Sequence, residues 1–320
     1  MVAQRLPMAE NGGASVARMP KPRPERKRLP SWFRTSLPSG DQLSVFNSTK
    51  DAISGHTLNT VCQEAKCPNI HECWSVGDAT FMVAGQECTR SCRFCAVGTI
   101  KRPPPLDPDE PENLATAVEL MKLNHAVITV VNRDDLDDSG ASHYRLCLEA
   151  VAARCPDVSL ELLCSDLAGD LDALAALLKD LKLDVFAHNV ECVPRLDKLV
   201  RDHRATFEQS LNILREAKRI RPDILIKSSL MVGLGETDQE VSEVLQMLRS
   251  AGVDFVTIGQ YLAPSTKHLP IARFPEPEKF AMWEKEIESL GFSGSACGPM
   301  VRSSYRAGDL LDQARKFLAE

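Results

Sequence analysis

Aromatic residues are scarce: Phe, Tyr and Trp together make up 5% of the 320 residues. That supply is too thin for a surface that stacks successive bases of a single strand, so a nucleic-acid partner is not expected. No apolar run reaches the length of a membrane span, and no charged start leads into an apolar stretch of the secretory kind. No internal repeat is visible, which excludes solenoids and propellers. The eleven cysteines are odd in number and clustered, unlike the disulfide framework of a small secreted domain. The expectation is a cytoplasmic chain with reduced thiols and no membrane partner.

The net charge of −6 conceals an asymmetry. Over residues 1–28, seven cations (Arg5, Arg18, Lys21, Arg23, Arg26, Lys27, Arg28) face Glu10 and Glu25, which leaves that arm at +5 and the remainder at −11. Six prolines fall within the first forty residues, so 1–40 reads as an extended, basic arm. Its Arg content with little Ser gives only thin support to an organelle transit peptide.

With 43% hydrophobic residues, the rest has ample material for one large α/β domain or two smaller ones. Residues 41–80 are polar and cysteine-bearing without clean periodicity, and read as a small metal-organised segment. From Phe81 to Ala84 onward, apolar β-branched runs alternate with helical patterns. The strands are expected at His125–Val131, Val158–Leu163, Asp184–Val190, Ile224–Val232 and Phe255–Tyr261, with a last apolar stretch near Phe292. Helices are expected over 109–124, 140–154, 170–181, 207–220, 238–251 and 277–290. Such alternation implies right-handed βαβ units and a parallel sheet. Chemistry-bearing residues (Cys88, Arg133, Asn189, Gly233, Gln260) recur just after the expected strands. Function gathered at the carboxyl ends of successive strands is barrel behaviour. The fold expected is therefore α/β, a partial (βα)6-type barrel over 81–296. A cysteine-rich extension at 41–80 precedes it and a C-terminal segment with a helix, 297–320, follows.

Six cysteines form two triplets. Cys62, Cys67 and Cys73 read C-x4-C-x5-C, and Cys88, Cys92 and Cys95 read C-x3-C-x2-C. Three thiolates are one short of the four that normally hold a cubane iron–sulfur cluster, so one iron is left for another ligand. The rival is structural zinc, which prefers four closed ligands and would need His56 or His71 to complete a set. Cys147, Cys155, Cys164, Cys192 and Cys297 stand singly in apolar or helical contexts and read as inert. His125, His143 and His203 read as structural or exposed.

The second triplet, with Phe94 directly before Cys95, resembles the radical S-adenosylmethionine superfamily. Further stretches resemble the lipoyl synthases within it: TVCQEAKCPNIHECW, VNRDDLDDSGA, FAHNVECVPRL, KSSLMVGLGET, QYLAPSTKHLP and GPMVRSSYRAG, in order over residues 40–308. The resemblance implies two [4Fe–4S] clusters and S-adenosyl-L-methionine. Cys88, Cys92 and Cys95 would hold the radical cluster, whose open iron chelates the cofactor. Cys62, Cys67 and Cys73 would hold an auxiliary cluster, with Ser304 of the RSSY motif as fourth ligand and Ser303 the fallback. Helix N-capping is the alternative duty for these serines. Asn189, Glu191, Lys227, Gly233, Gly235 and Glu236 would contact the cofactor, with Phe94 and Arg133 beside it. Arg133, Asp134 and Asp135 are assigned to binding and loop ordering, and Gln260, Tyr261 and Pro264 to the substrate entrance. The implied activity is insertion of two sulfur atoms, at C6 and C8, into an octanoyl chain on a carrier lysine. Its partners would be octanoylated lipoyl carrier domains (2-oxo-acid dehydrogenase E2 subunits, the glycine cleavage H protein), an electron donor such as flavodoxin or ferredoxin, and an iron–sulfur carrier. Two rivals remain at this point, a methylthiotransferase and a zinc-organised binding module.

Overall fold

The alternation of strand-like and helix-like runs folds into one continuous sheet in the computed structural model, which describes residues 29–33, 39–55, 59–64, 67–75 and 80–319. The expected arm over 1–40 falls mostly outside these residues, as does His56. In chain order the strands are β1 (Asn59–Thr60), β2 (Thr80–Val83), β3 (Glu87–Cys88), β4 (Gly98–Thr99), β5 (His125–Val130), β6 (Ser159–Leu163), β7 (Val185–Ala187), β8 (Leu225–Val232), β9 (Phe255–Gln260) and β10 (Gly294–Gly298). Seven of them, β2-β5-β6-β7-β8-β9-β10, pair parallel in that order, with β1 antiparallel on the β2 edge.

Each strand pairs with the next one in sequence, and the order never reverses. A doubly wound sheet needs such a reversal, where its ligand crevice forms. Right-handed crossovers without reversal put every helix on one face and curl the sheet into a partial barrel. The sheet holds seven parallel strands against the six units expected. The last, β10, begins just past the apolar stretch at Phe292.

The helices are α1 (Asp41–Gly55), α2 (Val61–Glu64), α3 (Ile70–Ser75), α4 (Glu110–Met121), α5 (Ala141–Arg154), α6 (Leu171–Leu178), α7 (Asp197–Val200), α8 (Phe207–Ile220), α9 (Asp238–Ser250), α10 (Pro277–Ser289) and α11 (Ala307–Ala319). Caps mark several starts. Asp170 accepts from the amides of Asp172 and Ala173 at the head of α6, Thr206 caps α8, and Thr237 with Glu240 forms a capping box on α9. The strands are buried on both faces, as parallel strands covered by helices require.

Within 41–80, where no periodicity was legible, the chain forms α1, α2 and α3. Trp74 and Ile53 are buried there, and Phe46 lies against Trp74 with ring centroids 5.6 Å apart. Helix α11 packs against β10 and β5. Its Leu311 and Ala314 meet Val185 and Phe255, and Gly308 abuts His125. All three partners begin their strands, so α11 lies across the amino-terminal ends of the sheet.

Two cysteine sites on one cavity

The loop between β3 and β4 holds Cys88, Cys92 and Cys95. Its ends are tied by the parallel β3–β4 pair and by the Ile100 amide donating to the Cys88 carbonyl at 3.0 Å. Two sulfurs already accept backbone hydrogen bonds, from the amide of Arg90 to Cys88 Sγ at 3.4 Å and from the amide of Asp202 to Cys92 Sγ at 3.3 Å. Arg90, inside the same loop, is buried and forked between two carboxylates. It reaches Asp134 at 2.6 Å and Asp166 at 2.6 Å, both just past strand ends. Asp202 accepts from the Ser91 amide at 2.9 Å and from Arg204, which in turn donates to the Thr89 carbonyl at 2.7 Å. The loop is thus pinned from three sides before any metal binds.

The other triplet lies where α2 and α3 meet the segment after β10. Cys62, Cys67 and Cys73 line a pocket of about 40 Å³ with Thr80, Asn69, His125, Arg302 and Ser304. Three hydrogen bonds hold the segment 299–305 over it: Asn69 Nδ2 to the Met300 carbonyl at 2.6 Å, Thr80 Oγ1 to Ser304 Oγ at 2.9 Å, and the Tyr305 hydroxyl to Glu72 at 2.6 Å. A β-carbon on Gly259 would stand 2.1 Å from the Val301 carbonyl oxygen, so only glycine lets this segment cross β9. Helix α11 starts at Ala307, which puts its N-cap at residue 306. Ser303 and Ser304 lie outside the capping position.

All eleven cysteines are free. Burial pushes the thiols up: Cys92 to about 11 and Cys95 to about 12, with Cys62 and Cys67 raised for the same reason. Buried thiols of this kind stay protonated at neutral pH unless a cation takes the proton's place, as a coordinated metal does. Among the described residues, the group whose donor atoms all lie within 4.8 Å of one another is Glu110, His143 and Cys147, which includes no cysteine of either triplet. The triplets are therefore more widely splayed than one zinc ion requires, and they fit a multi-iron cubane whose corners are spread apart. His71, the zinc rival's fourth ligand, stacks on Phe46 instead.

Both triplets open on the same cavity of about 500 Å³. Phe94, Asn189, Glu191, Gln260, Tyr261 and Pro264 line it as the sequence suggests, together with Ser303 and Ser304. Glu191 is a non-glycine in the left-handed region at φ 67°, and burial raises its carboxyl although Arg201 opposes the shift. A strained, buried carboxylate at a cavity wall suits a cationic or hydroxylated ligand group.

The structure places other expected residues off the cavity lining. Lys227 does not face the cavity: its ammonium is paired with Glu161 at 2.8 Å inside the barrel, both side chains 2% exposed. Arg133 is turned to Asp135 and to the Ala84 and Pro104 carbonyls, contacts that suit the loop-ordering part of its expected role. Gly233 and Gly235 adopt φ of 97° and 110° in a turn closed by Glu236, which accepts from the Gly233 and Leu234 amides. Gln260 and the Arg273 carbonyl fill the space a Gly233 side chain would need. That turn is built for packing, and neither glycine nor Glu236 lines the cavity.

Residues not singled out from sequence also face it: Arg90, Asp166, His188, Arg201, Ser229 and Arg302. Position just after a strand was the available signal for Asp166, three residues past β6. Nothing in the sequence distinguishes Arg201 or Ser229.

A radical S-adenosylmethionine superfamily model matches residues 82–248, and a model of the N-terminal domain of lipoyl synthases matches 9–67. Lipoyl synthase of Halorhodospira halophila is 50% identical over 287 residues, covering 90% of this chain and 85% of that protein. The chloroplastic lipoyl synthase of Arabidopsis thaliana is 48% identical, covering 89% and 72%. The mitochondrial one of Xenopus laevis is 47% identical, covering 90% and 77%. Among solved structures, methylornithine synthase superposes with a TM-score of 0.52 at 11% identity, covering 78% of this chain and 77% of that one. The hydrogenase maturase HydG of Carboxydothermus hydrogenoformans gives 0.51 at 16% identity, covering 85% and 68%. These two speak to the fold. A superfamily match brings with it one [4Fe–4S] cluster and S-adenosylmethionine. With about half its residues shared over some nine-tenths of its own length and 72–85% of theirs, the chain belongs to the lipoyl synthase family.

Proposed function

We propose that the cavity between the two cysteine triplets is where an octanoyl chain on a carrier lysine receives two sulfur atoms, at C6 and C8. The observation that carries this reading is the shared wall: Cys88, Cys92, Cys95, Cys62, Cys67 and Ser304 all line one cavity. Cys88, Cys92 and Cys95 hold the radical [4Fe–4S] cluster, which when bound supplies one electron for cleaving S-adenosylmethionine. Cys62, Cys67, Cys73 and Ser304 hold the auxiliary cluster, which when bound supplies sulfide.

The chain's own residues set the geometry. Arg90, Asp134 and Asp202 fix the loop of the radical triplet, and the Asp202 and Arg90 amides stabilise thiolate on Cys92 and Cys88. Asn189 and Glu191 take the cofactor's polar groups, and Phe94 packs beside them. Met82, Val130, Leu163, Leu230 and Met231 give the cavity an apolar lining suited to an eight-carbon chain. A serine oxygen is a harder, weaker partner for iron than thiolate, so Ser304 lets its iron go more readily when sulfur must leave.

Carrier domains of the 2-oxo-acid dehydrogenase and glycine cleavage type are the proposed substrates. A reducing compartment is the proposed location, supported by eleven free thiols and by the absence, among the described residues, of a helix long and apolar enough to cross a membrane. The test is an anaerobic reaction with an octanoylated carrier peptide, read by mass spectrometry. A product heavier by two sulfurs supports the reading, and an unchanged peptide beside consumed cofactor overturns it.

A further inference from the structure

The loop bearing the radical triplet has an outer face as well as a cavity face. Arg93, between Cys92 and Cys95, is exposed. Its amide donates to the Val200 carbonyl at 2.9 Å and its carbonyl accepts from the Leu269 amide at 3.3 Å, while Nη1 donates to the Leu199 carbonyl at 3.3 Å. These bonds draw α7 and the 262–270 loop against the cysteine loop, one on each side. Lys198 on α7 and Lys267 in the loop are exposed there, and Leu199 beside them is 43% exposed. None of the three cations has a carboxylate partner among the described residues.

The nearby acids are turned inward. Asp202, its side chain 3% exposed, serves Ser91 and Arg204, and Asp197 serves the Phe207 amide and Arg201. The result is three exposed cations and the exposed Leu199 on elements bonded to one loop, on a chain whose residues beyond the arm sum to −11. It lies close to the thiolates. Arg93 is covalently next to Cys92, and His268 Nε2 donates to the Cys95 carbonyl at 2.9 Å. The cavity face, by contrast, must hold cofactor and octanoyl chain during turnover, so electrons need another entrance.

We propose that Arg93, Lys198, Leu199 and Lys267 form the docking patch for an acidic one-electron carrier protein that reduces the radical cluster. The proposal rests on the reading of that triplet given above. Per cofactor molecule, the carrier is oxidised by one electron, the C5′–S bond of the sulfonium breaks and methionine leaves. The 5′-deoxyadenosyl radical then takes a hydrogen atom from the octanoyl chain. Opposite charge steers such encounters, and electron-transfer contacts are characteristically small and salt-sensitive.

The test compares the wild type with the Lys198→Glu/Lys267→Glu double variant and, separately, Leu199→Ser, all loaded to equal iron. Each is driven by dithionite, a small reductant, or by reduced flavodoxin, an acidic carrier, and 5′-deoxyadenosine is counted. Dithionite-driven cleavage is expected to match the wild type. Flavodoxin-driven cleavage by the double variant is expected to fall about tenfold at low ionic strength, a gap that closes as salt is added. Equal flavodoxin rates overturn the proposal. Parallel loss with dithionite overturns it too, since the residues would then be serving the cluster itself. A raised KM for the octanoylated carrier with normal flavodoxin rates assigns the patch to the substrate protein and also overturns it. Failure of the wild type to cleave with dithionite would instead strike the underlying reading of the triplet.

Discussion

Replacing Cys92 and Cys67 separates the two proposed sites. Cys92→Ala removes a sulfur from the triplet pinned by Arg90 and Asp202, and is expected to abolish cleavage of S-adenosylmethionine while about four irons remain on the other triplet. Cys67→Ala is expected to leave 5′-deoxyadenosine formation in place while no sulfur enters the octanoyl chain. Wild-type cleavage by the first, or wild-type lipoyl yield by the second, would exchange or remove these roles. Ser304 is the sharper case. As a ligand, Ser304→Ala should damage sulfur transfer far more than thermal stability, and Ser304→Cys should retain iron yet transfer sulfur poorly, because thiolate holds iron more firmly. Normal lipoyl formation by both variants returns this serine to hydrogen bonding with Thr80 alone.

At the scale of elements, the crossing of β9 by the 299–305 segment is the contact most easily tested. Gly259→Ala places a methyl against the Val301 carbonyl oxygen at 2.1 Å. The expected outcome is displacement of Arg302 and Ser304, with iron falling from about eight per chain toward four while cofactor cleavage persists. A control lies on α9, where Thr237→Ala removes the capping box at a cost of about 1 kcal/mol and should leave iron content untouched. A Gly259→Ala protein with full iron and normal sulfur transfer would show that the segment yields without consequence.

The strand and helix runs from 81 onward were legible because buried parallel strands are continuous apolar stretches and their helices are amphipathic. Helices α1 to α3 were not, since they bury few side chains apiece (Ile53, Trp74) and borrow their order from the sheet. The cysteine triplets and their cavity-lining neighbours were likewise legible, being close in sequence or placed after strands. The pairing of Lys227 was not legible because its partner Glu161 lies 66 residues away within an apolar strand, and a single charge in such a run does not announce which face it takes. The packing around Gly233 was not legible because a close-packing glycine and a ligand-cradling one leave the same mark on the sequence.

For the whole molecule, the two-cluster reading requires about eight irons and eight sulfides per chain after anaerobic loading. Deleting residues 1–30 is expected to leave that count and the chemistry intact, because the segment supplies no ligand. A lost cluster in the shortened protein would give the arm a structural duty. The auxiliary site has a different dependence. It is closed by Thr80, on the first parallel strand, meeting Ser304, past the last one, 224 residues later. Translated into the order of synthesis, the radical triplet lies within the first 95 residues, but the contacts that pin its loop run on to Asp202, Arg204 and Leu269, and the proposed sulfur site waits for residue 304. A chain cut between these points keeps the six cysteines yet lacks the serine proposed to complete the auxiliary set. Only molecules translated nearly to completion therefore carry the whole proposed ligand set.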